Sequence, residues 1–101
     1  MPFWYHLPAP TIGDGQQGPL RIKKWLLENG AEVHKGTRIL IVEAGSSDYA
    51  VSANGDGFLR EKLFPAGAQI DPSSPIAVIA ADGENIPYGR PYSLAERLSN
   101  P

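Results

Sequence analysis

Cysteine is absent from this chain of 101 residues. Disulfide frameworks, thiolate nucleophiles and zinc–thiolate clusters are therefore excluded. Histidine occurs only twice, as His6 and His34. Neither sign of charge predominates: Lys+Arg number 9 and Asp+Glu 11, a formal net charge of −2. That balance argues against a nucleic-acid binder, which carries a basic patch or stripe. No apolar run approaches the roughly 18 residues of a membrane-spanning helix, so no membrane partner is expected. The opening Met1-Pro2-Phe3-Trp4-Tyr5 lacks the basic and long apolar regions of a secretory signal. The expected setting is cytosolic. The chain does hold Gly 11 and Pro 10, about a fifth of its length, beside 42% hydrophobic residues. A helical bundle would not tolerate so many breakers, and a disordered chain would have fewer apolar residues. Short strands joined by tight turns fit both figures.

The local pattern agrees. Phe3 to Leu7 reads as an aromatic strand stopped by Pro8 and Pro10. Thr11 to Gly18 is a Gly-rich loop. Leu20 to Leu27 reads as a strand ending at the Asn29-Gly30 turn. Ala31 to Val33 is brief. Arg38 to Glu43 is rich in β-branched residues and gives the strongest strand. Tyr49, Val51 and Ala53 alternate with smaller or polar residues, as in a half-buried strand. Phe58 to Phe64 and Ile76 to Ala80 complete the set. Beyond residue 86 the chain becomes a Pro-punctuated tail. There Ser93-Leu94-Ala95-Glu96 carries the S-x-x-E capping-box signature and predicts a short helix over 93–98. The expected organisation is thus one β domain over 1–86 and a tail over 87–101.

Sliding the chain by 37 residues superposes Ile22 on Leu59, Leu26 on Leu63, Gly30 on Gly67 and Ala31 on Ala68. The same shift places Val33 on Ile70, Ile39 on Ile76 and Ile41 on Val78. One such half leaves a sheet face unburied, and two halves can bury their faces against each other. An internal repeat and a pseudo-two-fold, all-β sandwich or flattened barrel follow.

These residues resemble a known family. Trp25-Leu26-Leu27-Glu28-Asn29-Gly30-Ala31-Glu32-Val33-His34-Lys35-Gly36 is similar to the W-L-V-K-E-G-D-x-V-K-K-G run of lipoyl domains. Ile39 to Glu43 is similar to the strand that follows that run. Pro10-Thr11-Ile12-Gly13-Asp14-Gly15 resembles the P-x-L-G-E-G opening of dihydrolipoamide acyltransferases. Pro75 to Ile79 and Asp82-Gly83-Glu84 resemble their closing segment. Val42-Glu43-Ala44 looks more like the V-E-A-M-K-M of biotin carrier domains. The resemblance implies two four-stranded antiparallel sheets in a flattened barrel. It also implies a hairpin-tip lysine that carries lipoate or biotin on a swinging arm. Aligned from Glu43 to Gly57, this chain places Ser46 at the lysine position, within Ala44-Gly45-Ser46-Ser47. No lysine occurs between Arg38 and Lys62. A serine hydroxyl could form an ester at best. The expectation is a non-enzymatic lipoyl-like module with no cofactor, meeting a protein partner such as a 2-oxoacid dehydrogenase or carboxylase component. The alternative is a genuine carrier, either modified at Lys23, Lys24, Lys35 or Lys62, with Lys35 in a turn the best placed, or one whose hairpin lysine has been replaced.

Other patterns weigh less. Ser46-Ser47-Asp48 with His34 or His6 lacks a G-x-S-x-G elbow, so no catalytic residues are assigned. Ser52-Ala53-Asn54-Gly55-Asp56-Gly57 mimics a calcium loop, yet Ser52 replaces its first carboxylate and Leu63 its last. No metal site is assigned. Gly13-Asp14-Gly15-Gln16-Gln17-Gly18 has prolines on both sides instead of a strand and a helix. Trp4, Tyr5 and Trp25 read as core or sheet-face packing rather than a binding platform. Tyr88, Tyr92 and Leu94 must pack back or meet a partner. Arg21, Lys23 and Lys24 read as a solvated strand face.

Overall fold

A computed structural model describes residues 3–10, 20–45, 47–71, 74–81 and 93–98. Among them are nine strands: β1 (Phe3–Pro8), β2 (Leu20–Trp25), β3 (Glu32–Val33), β4 (Arg38–Ala44), β5 (Ser47–Ala53), β6 (Gly57–Lys62), β7 (Gln69–Ile70), β8 (Pro75–Ala81) and β9 (Ser93–Arg97). They form one sheet of order β1-β8-β6-β3 and a second of order β7-β2-β4-β5-β9, all pairs antiparallel. The sheets pack face to face as a flattened barrel-sandwich without closing.

The core lies between them. Leu7, Val33, Leu59, Ile76 and Ile79 from the first sheet meet Ile22, Ile39, Leu40, Val42 and Val51 from the second, all fully buried. Each such aliphatic contributes about 1.5–3 kcal/mol of burial. Trp25 seals one margin, packing against the core and donating its Nε1–H to the Phe64 carbonyl at 3.0 Å.

The two halves share a register. β2 and β6, β3 and β7, and β4 and β8 each start 37 residues apart. Arg21 faces Glu43 and Ile22 faces Val42, as Phe58 faces Ala80 and Leu59 faces Ile79. A bulge follows at the same step, leaving Lys23 and Arg60 as the extra residues. Gly30 (φ +94°) donates to the Leu59 carbonyl, and Gly67 (φ +92°) to that of Ile22, both at 2.6 Å. These turns need the left-handed backbone that glycine adopts without penalty. Ser47 to Val51 pair along β4 as Phe3 to Leu7 pair along β8. In the second half β1 therefore takes the place that β5 holds in the first.

One expectation fails in the tail. Residues 93–98 form no helix, because Ser93–Arg97 is β9, laid along β5 from Ala53 opposite Ser93 to Tyr49 opposite Arg97. This makes the second sheet five-stranded instead of four. A helix of one or two turns carries the full nucleation cost for few hydrogen bonds. The free edge of β5 offers the same backbone groups a ready ladder.

Candidate functional site

Beyond an irregularity between Arg38 and Leu40, the β4–β5 hairpin pairs residue by residue to its tip. Val42 faces Tyr49, Glu43 faces Asp48 and Ala44 faces Ser47. Two residues, Gly45 and Ser46, remain between the last paired positions, and Ser46 lies outside the described residues. Gly45 is exposed, with φ +61°. Ala44 packs against the core edge, and Ser47 is half-buried.

Charge collects beside the hairpin tip. Lys23, the bulge residue of β2, places its Nζ 2.7 Å from Asp48 Oδ2. Its amine is held protonated above the ordinary lysine range, first by the hydrogen bond to Asp48, then by the charges of Asp48 and Glu43. The nearby ammonium is thus engaged as a cation, which suppresses its nucleophilicity. Lys23 is thus half of an ion pair and not simply part of a solvated face. Basic residues stand 37 apart at Lys23 and Arg60, but the bulges that carry them show only in the structure.

The remaining residues fall elsewhere. His34 Nε2 lies 2.6 Å from Glu32 Oε1, and its Nδ1 3.7 Å from Asp56 Oδ1. His6 sits on β1, opposite Val78. Asp48 is engaged by Lys23, so neither imidazole joins Ser47 and Asp48 in a hydrolytic array. In the Ser52–Gly57 segment the Asp56 carboxylate accepts the Lys35 amide N–H at 2.9 Å. Gly57 pairs with Val33 in a strand. Gly13 to Gly18, Tyr88 and Tyr92 lie outside the described residues. Leu94 is exposed on β9. Trp4, Tyr5 and Trp25 separate: Tyr5 is buried, Trp25 is half-buried, and Trp4 is 57% exposed. Among the lysines, Lys62 Nζ stands 5.5 Å from the Trp25 ring centroid.

At the hairpin tip Gly45 is exposed. The residues flanking the tip, Ala44, Gly45 and Ser47, bring no amine to which lipoate or biotin could be amide-linked, and neither does Ser46. A search of curated proteins returned no match. A family model for biotin- and lipoyl-bearing domains, described as Biotin-requiring enzyme, matches residues 5–79. Domains of that family are carrier modules that work with partner enzymes. The match spans most of the two-sheet core described above, and the chain belongs to the biotin/lipoyl carrier-domain family.

Proposed function

We propose that this chain is a non-enzymatic lipoyl-like domain that has lost covalent cofactor attachment and serves as an interaction or assembly module. The observation that carries the reading is the hairpin sequence, in which Ser46 stands at the family's lysine position and no lysine lies between Arg38 and Lys62. The ligases that load this family form an amide on a primary amine, and a hydroxyl at the tip does not replace one. What remains is the β4–β5 hairpin, with the paired charges of Lys23 and Asp48 beside its tip. Such a tip can occupy the surface by which an enzyme of a 2-oxoacid dehydrogenase or carboxylase system recognises carriers, and it delivers no acyl or carboxyl group there. In this reading residues 1–86 form the module, 87–101 are an appended segment, no cofactor is bound, and the domain works in the cytosol.

Co-expression with lipoate and biotin ligases, followed by intact-mass measurement, tests the proposal. An unmodified mass is expected, and stoichiometric addition of a lipoyl or biotinyl mass would overturn it. Ser46→Lys is expected to restore partial loading, because Gly45 and Ser47 are not the family's flanking residues.

Membership of a carrier family favours a second reading, attachment at another lysine. Lys23 is engaged by Asp48, and Lys62 stands over Trp25. Lys35, exposed in a turn, is the better placed amine. Peptide mapping of any modified fraction separates the two readings.

A further inference from the structure

The repeated register provides an internal comparison of the two outer sheet faces. On the β7-β2-β4-β5-β9 sheet the outward positions Arg21, Lys23, Glu43 and Asp48 are charged, and Lys23 pairs with Asp48 at 2.7 Å. The matching positions on the other sheet are Phe58, Arg60, Ala80 and Trp4. Here Arg60 reaches across β8 to put its guanidinium carbon 4.9 Å from the Trp4 ring centroid. A salt bridge in one half is therefore a cation–π contact in the other. The shared backbone tolerates a charged face, so folding does not require Trp4 to be 57% and Phe58 53% exposed. Large exposed aromatics grouped in this way mark an interaction surface.

We propose that this face is the interface of a weak, reversible homodimer, two copies meeting sheet to sheet about a two-fold axis along β8. The proposal concerns the face opposite the charged sheet and does not depend on the hairpin reading.

The occupant follows from symmetry in the register. Trp4 and Phe58 both face Ala80, from opposite sides of β8, so each stands about 4.8 Å from it. His6 and Glu61 flank Val78 in the next outward row. A two-fold along β8 lays each row upon itself with its sides exchanged. Trp4 then meets the partner's Phe58, and His6 meets the partner's Glu61, twice over. Aromatic faces aromatic, and an imidazole faces a carboxylate. Each Arg60 guanidinium lies between its own Trp4 and the partner's Phe58. Small and aliphatic residues, Ala80 and Val78, form the centre and permit close approach. Val78 belongs to this outward row and lies outside the core cluster, yet it is only 7% exposed. Its neighbours already assemble over it.

The area is small. β1, β6 and β8, about 4.8 Å apart and about 20 Å long, present about 300 Å² per copy, and the two-residue β3 adds little. A stable interface buries about 800 Å² per partner. Falling short of that area, the dimer is expected to be weak and reversible, and a dissociation constant on the order of 100 μM is the scale to be tested.

Sedimentation velocity of the full chain from about 10 μM to about 1 mM, a range that brackets this constant, tests the proposal. The weight-average mass should rise toward twice the monomer value. The double variant Trp4→Asp/Phe58→Arg installs the residues that the other sheet carries at the matching positions, Asp48 and Arg21. It should remain folded by circular dichroism and monomeric throughout. If it fails to fold, Glu61→Lys supplies the test, since the exposed Glu61 lies outside the core and its reversal should weaken association about tenfold or more. Leu94→Asp, on the exposed side of β9, should leave association unchanged. A wild-type chain that stays monomeric at about 1 mM, roughly ten times the expected constant, overturns the proposal. So does association that survives both face variants, or association lost on Leu94→Asp, which would point to exchange of β9 between copies.

Discussion

Tyr5→Phe should stabilise the protein, although it removes a polar group from the centre of a strand. Tyr5 lies on β1 opposite Ile79 and is 7% exposed, with its ring in the core cluster. Among the described residues its buried hydroxyl has no hydrogen-bond partner. A buried, unsatisfied hydroxyl costs about 1–3 kcal/mol. Deleting it while keeping the ring should recover about 1 kcal/mol at pH 7, after the small loss from the vacated space. The same environment pushes the Tyr5 phenol up to about 12 from 10.0, first by burial and then by the negative charge of Asp56. In the unfolded chain the phenol ionises near its ordinary value, whereas in the folded chain it stays neutral. Between pH 10 and 12 the unfolded state has thus released a proton that the folded state retains, and stability falls as pH rises. The full shift corresponds to about 3 kcal/mol, intact below pH 10 and lost by pH 12. Urea denaturation of wild type and variant at pH 7, and at steps from about pH 9 to 12, gives both quantities. Subtracting the two curves removes the other tyrosines and the lysines, which titrate in both proteins. The reasoning is refuted if Tyr5→Phe destabilises by about 1 kcal/mol or more at pH 7, the worth of a hydrogen bond that was in fact made. A difference curve flat across the alkaline range refutes the assigned shift.

Gly57→Ala should cost about 2–4 kcal/mol by urea denaturation, because φ is +155° and an added Cβ would press on the Ala80 backbone and sit 2.8 Å from Ile79 Cγ2. Trp25→Phe should lose about 1 kcal/mol with the hydrogen bond to Phe64, read by the same method. Asp48→Asn should return the Lys23 amine toward its ordinary range, and acetylation footprinting near pH 9 should show faster labelling at Lys23 than in wild type. Glu96→Ala breaks the exposed pair with Arg38 at 3.0 Å and should change stability by no more than about 0.5 kcal/mol.

The sequence made the long strands legible because their chemistry is local. Arg38 to Glu43 concentrates β-branched residues, and the strand extends by one residue to Ala44. Glycines 37 residues apart marked the paired turns, and both take the same left-handed φ. The tail was misread because its decisive neighbour is distant in sequence. Ser93-Leu94-Ala95-Glu96 carries a helix-start signature, yet the open edge of β5, forty residues earlier, offered it a ladder. Trp4 was hard to place for another reason. In Trp4-Tyr5-His6-Leu7 both alternating sets hold a large ring, so period-two alternation does not say which set faces inward. At the hairpin the sequence located the segment through its flanks and offered a residue identity at the tip. The charges around it were not legible, since the approach of Lys23 to Asp48 across β4 depends on a bulge in β2 where it pairs with β4.

The two halves also separate what the fold demands from what it leaves free. Where both place an aliphatic or a glycine at one register position, as with Ile22 and Leu59, Val42 and Ile79, or Gly30 and Gly67, packing or backbone geometry is the sufficient cause. Where they diverge at matching register positions, packing is no longer a sufficient explanation. Trp4 against Asp48 and Phe58 against Arg21 are of this kind. β9 is a divergence of another order, because it covers the edge of β5 while β1, in the matching place, ends its sheet. It runs toward the tip, and the Leu98 N–H donates to the Asp48 carbonyl at 2.9 Å, the residue whose side chain holds Lys23. Its side chains are mostly exposed, so core burial does not account for its position. A strand held mainly by its backbone ladder ends beside the hairpin tip. Under the proposed function, a tip fastened on that side suits a docking surface better than a swinging arm.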